Sequence, residues 1–222
     1  LALEAGSTSI VDEAGNLLAE GDTTTWEVAA NLAPILDSTY TPTLSPIPLD
    51  ESDPSGDAVD SVVGISISDP DGWRLTGIAV IALTHEDLGT WEFSLDGGLH
   101  WTAFGTTTAT QARLLRELDL LRFVPDGSFV GTANLTYRAW DQTTGSVGDQ
   151  IDLTAIGATG GTTAFSIGSA TATLKVAAML TPVAEDTKST RGDSIKSVFG
   201  SFITDLDPSA KLGIAVESTS GT

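Results

Sequence analysis

The chain has 222 residues, and its 30 acidic against 10 basic side chains give a formal charge of −20. That sign opposes phosphate backbones and anionic membrane surfaces, which leaves calcium, cationic partners or plain solvation as uses for the acids. With no cysteine, thiolate zinc, iron–sulfur clusters and thiol catalysis are excluded.

Hydrophobic residues make up 41% of the chain, enough for a real core, and its 23 glycines suit short strands joined by turns. No run of 18 apolar residues offers a membrane span. No leader opens the sequence, which reads as an internal stretch of a longer chain.

In chain order, residues 61–68 (SVVGISIS) and 75–82 (LTGIAVIA) are rich in Val and Ile and predict two strands around an Asp-Pro-Asp-Gly turn. Residues 91–95 and 99–104 flank Asp96-Gly97-Gly98, a hairpin signal that places Trp91, Phe93 and Leu95 on one face. Residues 110–121 (TQARLLRELDLL) carry leucines at helical spacing and predict a short helix crossing between sheets, with Arg113 and Arg116 on a solvated face beside Arg122. Residues 121–124, 134–140 and 170–177 supply further strands. Many short strands with regular turn chemistry predict an all-β sandwich.

Internal repetition sets the organisation. Residues 46–80 align without gaps to 182–216, with 14 of 35 positions identical. Gly56-Asp57 matches Gly192-Asp193, and Asp69-x-Asp71 matches Asp205-x-Asp207. A second match joins 23–34 (TTTWEVAANLAP) to 171–182 (TATLKVAAMLTP), with 7 of 12 identical. The two offsets, 136 and 148, differ by 12, so one junction holds an extra loop around 37–45 (DSTYTPTLS). The expected organisation is the tail of one repeat (1–30), a full repeat (31–178) and the head of a third (179–222).

Calcium is the sharpest chemical expectation. Acidic residues fall at Asp50-Glu51-x-Asp53, at Asp69-x-Asp71-Gly72 and at Asp141, and recur as Glu185-Asp186 and Asp205-x-Asp207. Carboxylates two residues apart in a loop can face one ion, and calcium takes six to eight oxygens. The competing role is turn chemistry, because Asp builds Asx-turns without any metal.

Arg191-Gly192-Asp193 invites a cell-binding reading, yet Ser55-Gly56-Asp57 stands at the matching place, so Gly-Asp belongs to the repeat. Trp73, in the loop after Asp71, is the candidate for contact with a ligand, whereas Trp91, Trp101 and Trp140 lie in or beside strands and suit the core. His85 and His100 fit no ligand spacing and read as surface residues. No nucleophile elbow, HExxH, Walker or Rossmann pattern occurs, and the chain is expected not to be an enzyme.

Three groups of residues in order now suggest a family: Gly89-Thr90-Trp91-Glu92-Phe93-Ser94 with Asp96-Gly97-Gly98 and Trp101; Arg122-Phe123-Val124-Pro125-Asp126 with Gly131-Thr132-Ala133; and Tyr137-Arg138-Ala139-Trp140-Asp141-Gln142. Together they resemble the cadherin-like and immunoglobulin-like tandem repeats of giant bacterial surface adhesins, including the repeats-in-toxin type. That resemblance implies a β-sandwich exported to the cell surface, stiffened by calcium and used in attachment or biofilm formation, with neighbouring repeats of the same chain as partners. It would put calcium at Asp50, Glu51, Asp69, Asp71, Asp141, Glu185, Asp186, Asp205 and Asp207. An alternative is a glycan- or peptide-binding module near the adhesin tip. Asn31-Leu32-Ala33-Pro34 lacks the Asp common before such an Ala-Pro junction.

Overall fold

Alternation decides the longest strand. In Gly131–Trp140, the residues Ala133, Leu135, Tyr137 and Ala139 are buried, while Thr132, Asn134, Thr136 and Arg138 between them face outward. This period of two turns one face to a core. The computed structural model describes residues 30–72, 76–127, 129–177 and 214–215. The chain divides into two compact units, Leu1–Asn31 and Leu32–Thr222, and the described residues fall almost entirely in the second.

The elements are β1 (Ile35–Leu36), β2 (Ile47–Pro48), β3 (Asp57–Ala58), α1 (Val59–Val63), a 3-10 turn (Gly64–Ser66), β4 (Ile67–Ser68), β5 (Gly77–Leu83), β6 (Gly89–Ser94), β7 (Thr102–Ala103), β8 (Ala112–Arg116), β9 (Leu120–Pro125), β10 (Gly131–Trp140), β11 (Gln150–Ile151) and β12 (Ala170–Ala177). A six-stranded sheet runs β11-β8-β5-β10-β12-β2, a four-stranded sheet runs β3-β9-β6-β7, and β1 pairs with β4. The all-β sandwich expected from the sequence is the observed architecture.

The main core lies between the two larger sheets. Ile78, Val80, Leu115, Leu135, Tyr137 and Leu174 meet Trp91, Phe93, Leu121 and Phe123, and α1 adds Val59, Val62 and Val63. A smaller core covers the outer face of the six-stranded sheet, where the long 152–169 segment folds back as a strap. There Leu153, Ala164 and Phe165 bury Ala79, Ala112, Leu114 and Trp140. Arg138, on that outer face, holds the strap by donating from Nη1 to the carbonyls of Ser166, Ile167 and Gly168.

Two segments differ from expectation. Residues 110–121 are not helical: β8, a tight turn and the start of β9 occupy them. The segment does cross between sheets, because β8 belongs to the six-stranded sheet and β9 to the four-stranded one. Leu114 and Leu115 each fill a different core, so tertiary pairing overrides the local helical spacing. Asp119 closes the turn, accepting from Arg116 N at 2.6 Å and from its guanidinium at 2.7 Å.

Residues 61–66, expected as strand, instead complete α1 and the 3-10 turn. Their valines at 59, 62 and 63 bury one helical face. Only Ile67–Ser68 remains extended and paired. Leu95 lies past the end of β6 and is exposed, so it does not share the buried face of Trp91 and Phe93. The arginines expected on a solvated face are engaged instead. Arg113 lies over the Phe93 ring, with 5.2 Å from its Cζ to the ring centroid.

The first and last described residues of this sandwich lie at opposite ends of it. At the Trp140 end of β10, Leu32 N donates to Asp71 at 2.7 Å and Ala33 N to the Gly161 carbonyl at 2.9 Å. From there the chain climbs through β1 and then along β12. β12 ends at Ala177, beside Pro48 and near Gly131, whose partner is Val176. Leu32 and Ala177 therefore lie at opposite ends of β10, about 30 Å apart for ten residues of strand.

Candidate functional site

The acidic turns are the candidate site that the sequence offers, and the structure splits them between the two ends of the sandwich. Asp50 and Glu51 follow β2 at the Ala177 end, while Asp69, Asp71 and Asp141 lie at the Trp140 end. Glu185, Asp186, Asp205, Asp207 and Trp73 lie outside the described residues.

Four of these acids, Glu51, Asp69, Asp71 and Asp141, hold backbone N–H groups. Asp69 Oδ1 accepts from Asp71 N at 2.8 Å, and Gly72 N closes the same turn onto the Asp69 carbonyl. Asp71 then ties down Leu32. Glu51 accepts from Asp53 N at 3.0 Å, and Asp53 pairs with Arg122 at 2.7 Å. Asp141, buried, accepts from both the N–H and the hydroxyl of Thr143, at 2.8 and 2.6 Å.

That last pattern recurs. Asp37 holds Thr39 and Asp152 holds Thr154 in the same two-bond turn. In both, the threonine hydroxyl is the main cause that lowers the aspartate pKa, with the backbone N–H adding to it. The signal is present in the sequence as Asp-x-Thr at 37, 141 and 152, and metal-ligand spacing does not single it out. Among the described residues, no three His, Asp or Glu side chains gather where they could hold an ion. Of the expected ligands at the Trp140 end, Asp69 and Asp71 share one turn and Asp141 stands in another.

Arg113, Arg116, Arg122 and Arg138 all make internal contacts. Arg122 donates from Nε to Glu92, directly opposite it across the β6–β9 pair, and stacks 4.0 Å over the Trp101 ring. Trp101 is therefore a half-exposed lid on this ion pair and not the core residue expected. The Trp101 ring also lies against Gly56, which sits at φ 75°. A side chain at Gly56 would meet both the ring and the Leu121 carbonyl. The next residue, Asp57, accepts from Ser45 N at 2.9 Å and Ser45 Oγ at 2.6 Å. The Gly-Asp pair that recurs in the sequence thus has a structural job at Gly56-Asp57.

His100 is exposed and paired with Asp96 at 2.6 Å. The His100 side chain, its backbone N–H and the Ser94 hydroxyl together hold the Asp96 pKa down at about 2. His85 stacks on Phe129 with ring centroids 4.5 Å apart.

An apolar groove of about 360 Å³ runs between residues 32–36, Pro70 and the strap at Gly160 and Ile167. No helix among the described residues is long and apolar enough to cross a membrane. Set against known protein families, curated proteins and solved structures, the chain matches none.

Proposed function

We propose that residues 31–178 are a structural repeat of a large extracellular bacterial adhesin, a spacer that carries other parts of the chain outward for attachment or biofilm formation and does no chemistry itself. The observation that supports this most is the placing of two residues: Leu32 lies at one end of β10 and Ala177, the last residue of β12, at the other. Modules whose ends lie apart in this way extend a protein when copied head to tail, and two stretches of the sequence do recur, 46–80 at 182–216 and 23–34 at 171–182.

The test is an exchange. Cells displaying the parent protein with residues 31–178 replaced by an unrelated sandwich of equal length keep their attachment if the module is a spacer. Loss of attachment would instead favour a glycan- or peptide-binding module.

Calcium is the proposed stabilising ion. Its support is the pair Asp69 and Asp71 in one turn where the chain enters, and the recurrence of that pair as Asp205 and Asp207. Hard carboxylate oxygens are the donors calcium takes. At a hundredfold excess over Kd, binding to the folded state alone adds about 2.7 kcal/mol. Melting in millimolar calcium against EDTA checks this: a rise of several degrees supports it, and coincident melts remove calcium from the proposal.

A further inference from the structure

We propose that this module is built to resist tension along its length, through a shear clamp between its incoming segment and β12. Residues 42–49 run parallel to β12, an unusual pairing in a sandwich whose other described ladders are antiparallel. Thr173 N donates to the Pro42 carbonyl and Leu44 N to the Thr173 carbonyl, both at 3.0 Å. Ile47 and Pro48 then pair with Val176 and Ala177, and Leu49 N donates to the Ala177 carbonyl at 2.9 Å.

The direction that loads the clamp is the line between Leu32 at the Trp140 end and the end of β12 at Ala177. Tension along that line pulls the incoming segment toward the Trp140 end and β12 toward the Ala177 end. Two parallel neighbours are then drawn in opposite senses along their own axes. Their hydrogen bonds lie across the load and must fail together, whereas bonds peeled from one end fail one at a time.

The clamp has one irregularity, and it is braced. Thr43 pairs with Thr173 but Ile47 with Val176, so the incoming strand carries one extra residue. Pro46 has no N–H to lose there, and Ser45 gives its N–H and hydroxyl to Asp57 of β3. The irregular point of the clamp is thereby tied to the opposite sheet.

The inference deepens the spacer reading and rests on it. It is tested by pulling single molecules of the full chain in two directions. The sequence has no cysteine, so introduced ones define the handles. Leu32→Cys with Lys175→Cys loads the clamp in shear; Ser52→Cys with Lys175→Cys loads it from one end. All three positions are exposed, and Ala30→Cys replaces Leu32→Cys should that variant not fold.

Because forced rupture reports the unfolding barrier along the pulled direction, the shear pair should break at about twice the force of the peeling pair or more. Equal forces would overturn the clamp and leave the spacer reading standing. Loss of attachment in the exchange experiment would overturn the spacer reading even with the force difference intact.

Discussion

Replacing Asp57 by Ala removes both bonds that fix Ser45, at 2.9 and 2.6 Å. Two charge-assisted bonds in a dry interior would be worth about 3–6 kcal/mol together. Ser45 is exposed and Asp57 only half-buried, so water replaces much of what is lost and we expect about 1–2 kcal/mol. For a unit of this size that is a fall in Tm of about 2–8 °C. Ser45→Ala removes only the hydroxyl bond and should cost less. The double variant should lose less than the two singles combined, by about 0.5–1 kcal/mol. Urea unfolding of the four proteins measures this cycle. Strict additivity, or an Asp57→Ala variant as stable as the parent, would refute the brace.

Other outcomes come from the packing and the turns. Gly89→Ala would push a methyl into the Phe123 ring and to 2.6 Å from the Val124 carbonyl; denaturant unfolding should show a loss of about 1–3 kcal/mol or more. Gly97→Ala meets no atom within 4 Å and should lose only the preference of its φ of 73° for glycine, about 1 kcal/mol. Phe165→Ala opens the smaller core and should cost about 3–5 kcal/mol, with faster proteolytic cutting in 152–169 as a second readout. The Asp96 carboxyl should titrate near 2 by carbon NMR and move upward in His100→Ala. Because its folded pKa lies below the ordinary value, its contribution to stability is present above pH of about 4 and fades as pH falls toward 2.

Much of the sandwich was legible because its central strands carry plain alternation. Residues 134–140 and 170–177 each bury one face and expose polar partners, and period two is what sequence shows best. Where both faces are buried the signal fails. Leu114 and Leu115 serve two cores at once, so their spacing imitates a helix. Conversely, the valines of α1 are β-branched and read as strand, although their burial has helical spacing. The strap over Trp140 was not visible either, since 152–169 is glycine-rich and shows no period, its anchors being Leu153 and, 11 residues on, the pair Ala164-Phe165.

The acids show the same division. Their loop positions are plain in the sequence, but which of two roles they play depends on where their second partners lie. Asp141, Asp37 and Asp152 find a threonine two residues on, a local partner that the sequence displays directly. Asp57 and Asp71 find Ser45 and Leu32, 12 and 39 residues away. Those pairings exist only once the incoming segment lies along the sheets.

Small-angle scattering from one copy and from two head-to-tail copies of residues 31–178 tests the spacer claim most directly. Leu32 and Ala177 at opposite ends of β10 predict that the second copy lengthens the particle by at least about 30 Å, the span of that strand. A second copy that thickens the particle without lengthening it would contradict a spacer role.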